Sequence, residues 1–184
     1  MEDKQIIELY FERSEKAINE TNRKYGKYCN NIAFNILQNK EDSNECVNDT
    51  YLNVWNAIPP QRPNIFRLFL GKITRNLAFK KYEKRKAKKR TDNVEVVLEE
   101  LQECVSNNSI EQTAEYEDLV ASINRFLAEI SEEKRRMFLD RYWYLYSIKD
   151  IALKQNISES NVKVTLLRIR EQLKNKLKED GLYE

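Results

Sequence analysis

Apolar residues recur at helical spacing along most of this chain, and short polar or proline-containing breaks divide the recurrence into segments. Asp3 to Arg13 carries Ile6, Ile7, Leu9, Tyr10 and Phe11, the pattern of a short amphipathic helix, and Ser14 is placed to cap the next one. From Lys16 to Leu37 the apolar positions settle into a stripe of Tyr25, Tyr28, Cys29, Ile32, Ala33, Ile36 and Leu37, which Asn39-Lys40-Glu41 interrupts. Asp42 and Glu45 have capping-box spacing, each side chain able to satisfy the other's orphan N–H. The helix they open buries Cys46, Val47, either Tyr51 or Leu52, Val54, Trp55 and Ile58. Pro59-Pro60 ends it, because proline lacks the N–H and restricts the residue before it. Beyond the stiff loop Pro59 to Pro63, Asn64 caps a long helix running to about Arg90, with Phe66, Phe69, Leu70, Ile73 and Leu77 as its buried stripe.

The second half repeats the logic after a gap. Residues 91–113 read as an acidic linker, with a helical turn around Val94 to Leu101 and a loop at Ser106-Asn107-Asn108-Ser109. Helices resume with the stripe Leu119, Val120, Ile123, Phe126, Leu127 and Ile130. Ser131 caps the next helix, whose core side is Met137, Phe138, Tyr142 and Trp143. The segment Ser147 to Arg168 then reads as a helix-turn-helix. Ser147 and Asp150 have capping-box spacing, Ile148, Ile151 and Ala152 share one face, and Asn156 is suited to a left-handed turn residue. Ile157 plugs the turn, Ser158 caps a longer helix, and Val162, Leu166, Ile169, Leu173 and Leu177 form one buried stripe. The pattern therefore predicts an all-α protein of two helical domains, residues 1–90 and 114–184, joined by the linker.

Composition narrows the chemistry. Only three glycines and three prolines in 184 residues leave little room for a β-sandwich or a Gly-rich nucleotide fold. The absence of histidine removes His-based nucleophile triads, His metal sites and the commonest general base, so no catalytic residue, cofactor or metal ligand is assigned. Cys29, Cys46 and Cys104 form no CxxC pair, and an odd count fits a reducing cytosol. The charged N-terminus is no signal peptide and no run is long enough to span a bilayer, so the expected location is cytoplasmic, without membrane insertion.

The formal net charge is only +2, so the distribution of charge matters more than its sum. Ser160, Asn161, Lys163, Thr165, Arg168 and Arg170 place hydrogen-bonding and cationic groups near the start of the second helix of the helix-turn-helix, where such a helix meets base edges and phosphates. Lys72, Arg75, Lys80, Lys81, Lys84, Arg85, Lys86, Lys88, Lys89 and Arg90 make a basic surface interleaved with Phe79 and Tyr82. Such a surface neutralises phosphates, and its aromatics can stack on unpaired bases. Glu45, Asn48, Asp49 and Asn53 give another helix a short acidic and amidic face, either solvated or docked on a partner.

Four segments, in order, resemble the extracytoplasmic-function sigma factors of bacterial RNA polymerase, the minimal branch of the sigma-seventy family. Tyr28 to Ala33 resembles the first helix of the core-binding domain, and Glu45 to Trp55 the polymerase-docking helix. Phe66 to Ala78 resembles the promoter-melting helix, and Arg135 to Tyr142 with the helix-turn-helix resembles the domain that reads the −35 element. The resemblance implies that Glu45, Asn48, Asp49, Tyr51, Leu52, Asn53 and Trp55 dock on the clamp coiled coil of the largest polymerase subunit, with the flap of the second subunit as a further contact. It implies a −10 set of Arg62, Asn64, Lys72, Arg75, Asn76, Lys80, Lys81, Lys84 and Arg85, in which Asn76 and the loop Ile58 to Ile65 hold a flipped base. It implies that Ser160, Asn161, Lys163, Val164, Thr165 and Arg168 meet the −35 element. Promoter DNA, core polymerase and an anti-sigma factor are the implied partners; no small-molecule substrate is. Three features depart from the family. Val164-Thr165 stands where many relatives carry serine and arginine, Asn156 where glycine is common, and Pro59 to Pro63 replaces a polar loop. Val164 could meet a thymine methyl.

The rival reading is a stand-alone helix-turn-helix regulator, which has no need of the docking or melting helices. A nucleic-acid enzyme is disfavoured by the missing histidine, P-loop and clustered carboxylates. A helical interaction protein without DNA binding predicts salt-insensitive behaviour.

Overall fold

In the computed structural model the described residues are 1–86, 92–102 and 113–182, and the chain divides into two units, Met1–Arg90 and Thr91–Glu184. The expected positions Lys88, Lys89, Arg90, Cys104 and Ser106 to Ser109 lie outside the described residues. All regular structure among the described residues is helical, as the patterning predicts.

The first unit is built from α1 (Asp3–Phe11), α2 (Lys16–Leu37), α3 (Lys40–Ala57) and α4 (Phe66–Lys86). The three long helices pack on one another and α1 closes against α2. Ile32, Ile36, Val54, Ile58, Phe66 and Leu70 are fully buried between them, and full burial of such side chains is worth about 2 kcal/mol each. Tyr10 sits among Trp55 and Phe66 with ring centroids 6.1 and 6.0 Å away, and its hydroxyl meets Thr21 Oγ1 at 2.9 Å. The bonds Ile58–Pro59 and Pro59–Pro60 are both cis.

Several caps and faces differ from expectation. The cap of α3 is Asn39, whose Oδ1 accepts from the Asp42 N–H at 2.9 Å; the Asp42–Glu45 capping box does not form, because both carboxylates face α4. Ser14 contributes its carbonyl, which accepts from the Ala17 N–H at 2.9 Å, and no side-chain cap bond is made at the start of α2. Tyr51, not Leu52, is the buried residue of that pair. In α4 the deepest line is Phe66, Leu70, Thr74, Ala78 and Tyr82, while Phe69, Ile73 and Leu77 are half-buried. Thr74 is tolerated in this line because its hydroxyl donates to the Leu70 carbonyl at 2.9 Å and accepts from Thr50 at 3.2 Å. Gly71 lets α4 approach α2: a Cβ there would lie 2.4 Å from the Tyr28 hydroxyl.

The second unit comprises α5 (Asp92–Gln102), α6 (Thr113–Glu129), α7 (Glu132–Phe138) with a π-helical turn at Leu139–Trp143, α8 (Ile148–Gln155) and α9 (Glu159–Glu179). The first part of the expected linker is therefore a folded helix of this unit and not a tether. Val94 and Val97 are buried, and Glu100 reaches Arg141 at 2.9 Å, the Tyr142 hydroxyl at 3.1 Å and Arg170 at 3.6 Å. Charge composition alone concealed this, because two buried valines and Glu100 anchor α5 within a run that reads as acidic. The helix-turn-helix forms as read from the sequence. Ser147 and Ser158 accept from the N–H groups of Asp150 and Asn161 at 3.1 and 3.2 Å, and Asn156 takes φ 54°. Val162, Leu166, Ile169, Leu173 and Leu177 are all buried.

Candidate nucleic-acid and partner interfaces

Burial of that stripe fixes which side of α9 faces outward. Ser160, Asn161, Lys163, Val164 and Arg168 are exposed, as their positions between the buried residues require. Thr165 is half-buried, and its hydroxyl and Asn161 Oδ1 lie 3.2 Å apart, which orients the amide along the helix. Arg170 departs from the reading of a free cationic face: it is half-buried and donates to the Tyr142 hydroxyl at 2.9 Å. Two features were missed. Leu167 is 46% exposed beside Val164 at 42%, so the outward face carries an apolar ridge. A cleft of about 500 Å³ beside Asn161 and Thr165 is lined by Lys134, Arg136, Lys154 and Gln155. Leu167 was legible as the leucine off the buried stripe; the cleft depends on how α7 meets the turn, which periodicity does not report.

On α4 the cations divide into two groups. Lys72, Lys80 and Lys84 are exposed, as is the neutral amide of Asn76 among them. Lys81 and Arg85, by contrast, are engaged within the unit. Lys81 Nζ lies 2.5 Å from Glu45 and 3.2 Å from Asp42, and Arg85 lies 2.6 Å from Asp42. Burial works against the Lys81 ammonium, but its bonds to Glu45 and Asp42 outweigh that and hold its pKa above the usual lysine value. Arg75 is half-buried with its guanidinium 4.7 Å from the Phe79 ring centre, and desolvation pulls its pKa down. Tyr82 is a correction: at 5% exposure it belongs to the core and presents no ring to a base. In the loop before α4, Asn64 is exposed, whereas Arg62 is held by Glu8 at 2.5 Å and stacks on Phe11 at 4.2 Å.

The outward face of α3 carries Glu45, Asn48, Asp49, Leu52 and Asn53, with Leu52 57% exposed. Asn53 Nδ2 donates to the Asp49 carbonyl at 2.8 Å. Two residues expected here belong elsewhere. Tyr51 is buried with its hydroxyl donating to Asn22 Oδ1 at 2.9 Å, and burial raises its pKa. Trp55 is half-buried and covered by Arg13, which donates to its carbonyl at 2.7 Å and lies 5.4 Å from its ring centre. Both follow from the helical turn: positions 47, 51 and 54 share the inward side, and 55 lies at its edge. Beneath this face the Cys46 thiol is buried, which pushes its pKa up to about 12 and leaves it a packing residue. Among the described residues, no group of three His, Cys, Asp or Glu side chains is placed to hold a metal, and no helix is long and apolar enough to cross a membrane.

Residues 121–173 match the family described as Sigma-70, region 4. That span begins within α6 and ends within α9, so it contains the whole helix-turn-helix. No curated protein matches the chain. The solved structure of CnrH in complex with the cytosolic domain of CnrY is similar over 97% of this chain and 98% of that one, at 17% identity and a TM-score of 0.45. A likeness that distant carries no argument about partner or mechanism.

Proposed function

We propose that the chain is a sigma factor of the extracytoplasmic-function kind. It binds core RNA polymerase through α3, places it at a promoter through α9 and the exposed part of α4, and assists strand opening while the polymerase supplies the chemistry. The observation that carries this reading is the region 4 match over the segment whose helix-turn-helix leaves its polar face outward. A recognition helix of this kind reads base edges from the start of the helix, where Ser160, Asn161, Lys163 and Val164 stand exposed. The family resemblance of the first unit adds the rest: Glu45, Asn48, Asp49, Leu52 and Asn53 as the clamp-docking set, and Asn76 with Asn64 at the flipped base.

The revised −10 set is Asn64, Lys72, Asn76, Lys80 and Lys84 in direct contact, with Arg62, Arg75, Lys81 and Arg85 engaged inside the free protein. The flap of the second polymerase subunit and an anti-sigma factor are further partners on this reading. The stand-alone regulator remains the rival, since it uses the same α9. Co-elution with sigma-free core polymerase separates the two. The wild-type chain forms a complex, and Asp49→Arg, which reverses a charge on the exposed face of α3, weakens it at least tenfold while leaving the helical content unchanged. Absence of a complex, or an Asp49→Arg affinity equal to wild type, rejects α3 as the docking helix.

A further inference from the structure

The acidic first turn of α3 and the basic half of α4 meet inside the first unit. Asp42 and Glu45 together hold Lys81, and Asp42 also holds Arg85, whose guanidinium donates besides to the Leu37 carbonyl at 3.2 Å. Lys80 and Lys84 stand free to solvent along the same cleft, about 380 Å³, that Glu45, Asp49, Leu77 and Lys81 line. Glu45 thus belongs to two surfaces at once: its side chain is 66% exposed on the α3 face, and its carboxylate pairs with an α4 cation.

We propose that Asp42 and Glu45 stand in for DNA phosphate in the free protein, withholding Lys81 and Arg85 from nucleic acid, and that a protein docked on α3 loosens the hold on Lys81 by drawing Glu45 away. The proposal rests on the assignment of α3 to polymerase and α4 to DNA. Surface ion pairs of this kind contribute little to stability, so they exchange readily when a partner offers Glu45 another cation. A paired lysine nevertheless releases no counterion when DNA arrives, and so adds nothing to affinity or to its salt dependence. Docking on α3 would add Lys81 to the DNA face, and the coupling is reciprocal: bound DNA favours docking to the same degree.

The test uses the full chain and a 20-nucleotide single strand of thymidylate, with binding followed by fluorescence anisotropy across a potassium chloride series. The double variant Asp42→Asn, Glu45→Gln binds tighter than wild type, and its slope of log K against log salt is steeper by about 1.4, the single-strand value for two added contacts. Adding Lys81→Gln to that variant removes about half of the gain. Lys81→Gln alone leaves the slope unchanged, an arm that does not depend on altering α3. Glu41→Gln, which removes one negative charge from an exposed position of the first turn of α3, leaves the slope unchanged as well. Equal slopes in wild type and double variant, a shallower slope for Lys81→Gln alone, or an equal gain from Glu41→Gln would each overturn the proposal. Failure of every variant to bind at the lowest salt would overturn it together with the assignment of α4 to DNA.

Discussion

Arg141 shows how a single glutamate can decide whether a helix belongs to a domain. Its side chain is 3% exposed, and Glu100 accepts from its Nε at 3.1 Å and Nη2 at 2.9 Å while Nη1 donates to the Tyr146 carbonyl at 3.2 Å. Removing one partner of a buried pair leaves an uncompensated charge, which costs more than the pair itself contributes. Glu100→Ala therefore destabilises the second unit by about 3 kcal/mol, the low end of the buried-pair range because Glu100 retains some exposure. Urea unfolding followed at the second unit's tryptophan, Trp143, measures this. In the first unit Asp3 accepts from Lys24 at 2.7 Å and from the Tyr25 hydroxyl at 2.6 Å. Burial alone would raise its pKa, but the two bonds outweigh that and lower it. A depressed carboxylate adds stability that is full above the ordinary aspartate pKa of about 3.9 and is lost as pH falls through the folded value. Asp3→Asn accordingly flattens the stability change below about pH 4 and leaves its shape at neutral pH unaltered, as acid titration of the helical signal would record.

Among the elements, α8 and α9 were the most legible because three independent signals agree there: serine caps, an asparagine at the turn and a continuous apolar stripe. Asn156 occupies the left-handed region, where a Cβ-bearing residue without a short polar side chain is strained by roughly 1–2 kcal/mol. Asn156→Ala therefore lowers stability by about 1 kcal/mol and Asn156→Gly does not, a difference readable in thermal unfolding. The α3 and α4 elements were placed correctly but not oriented. A period of about 3.6 residues leaves two neighbouring positions competing for the inward side, and Tyr51 wins over Leu52 through its bond to Asn22. Thr74 was overlooked because a hydroxyl in a sequence does not show whether a carbonyl will satisfy it, and Tyr82, read as a stacking ring among cations, lies on the inward line of α4. The pairing of Lys81 and Arg85 with α3 was equally hidden, since two residues 36 positions apart carry no local pattern that announces their contact. For α5, charge misled where two buried valines and Glu100 decide the outcome.

At the scale of the whole molecule, the account joins two helical units with different tasks to one process. The exposed amide of Asn76, on the same helix as Lys72, Lys80 and Lys84, is assigned to an unstacked base, so it acts after the duplex has been engaged. Asn76→Ala should slow strand opening about tenfold while changing closed-complex affinity less than twofold, a split that permanganate footprinting and mobility shift resolve together. Each unit alone is compatible with a simpler protein: α9 with a repressor, α3 with an interaction module. The sigma-factor reading requires that both act on one promoter through one polymerase. The most direct measurement is run-off transcription with sigma-free core polymerase on a library of promoter fragments. The account predicts that adding this chain yields transcripts from a subset of fragments with defined start sites, and that exchanging α9 residues 160–168 changes the subset. Transcripts no more selective than those of core polymerase alone would contradict it.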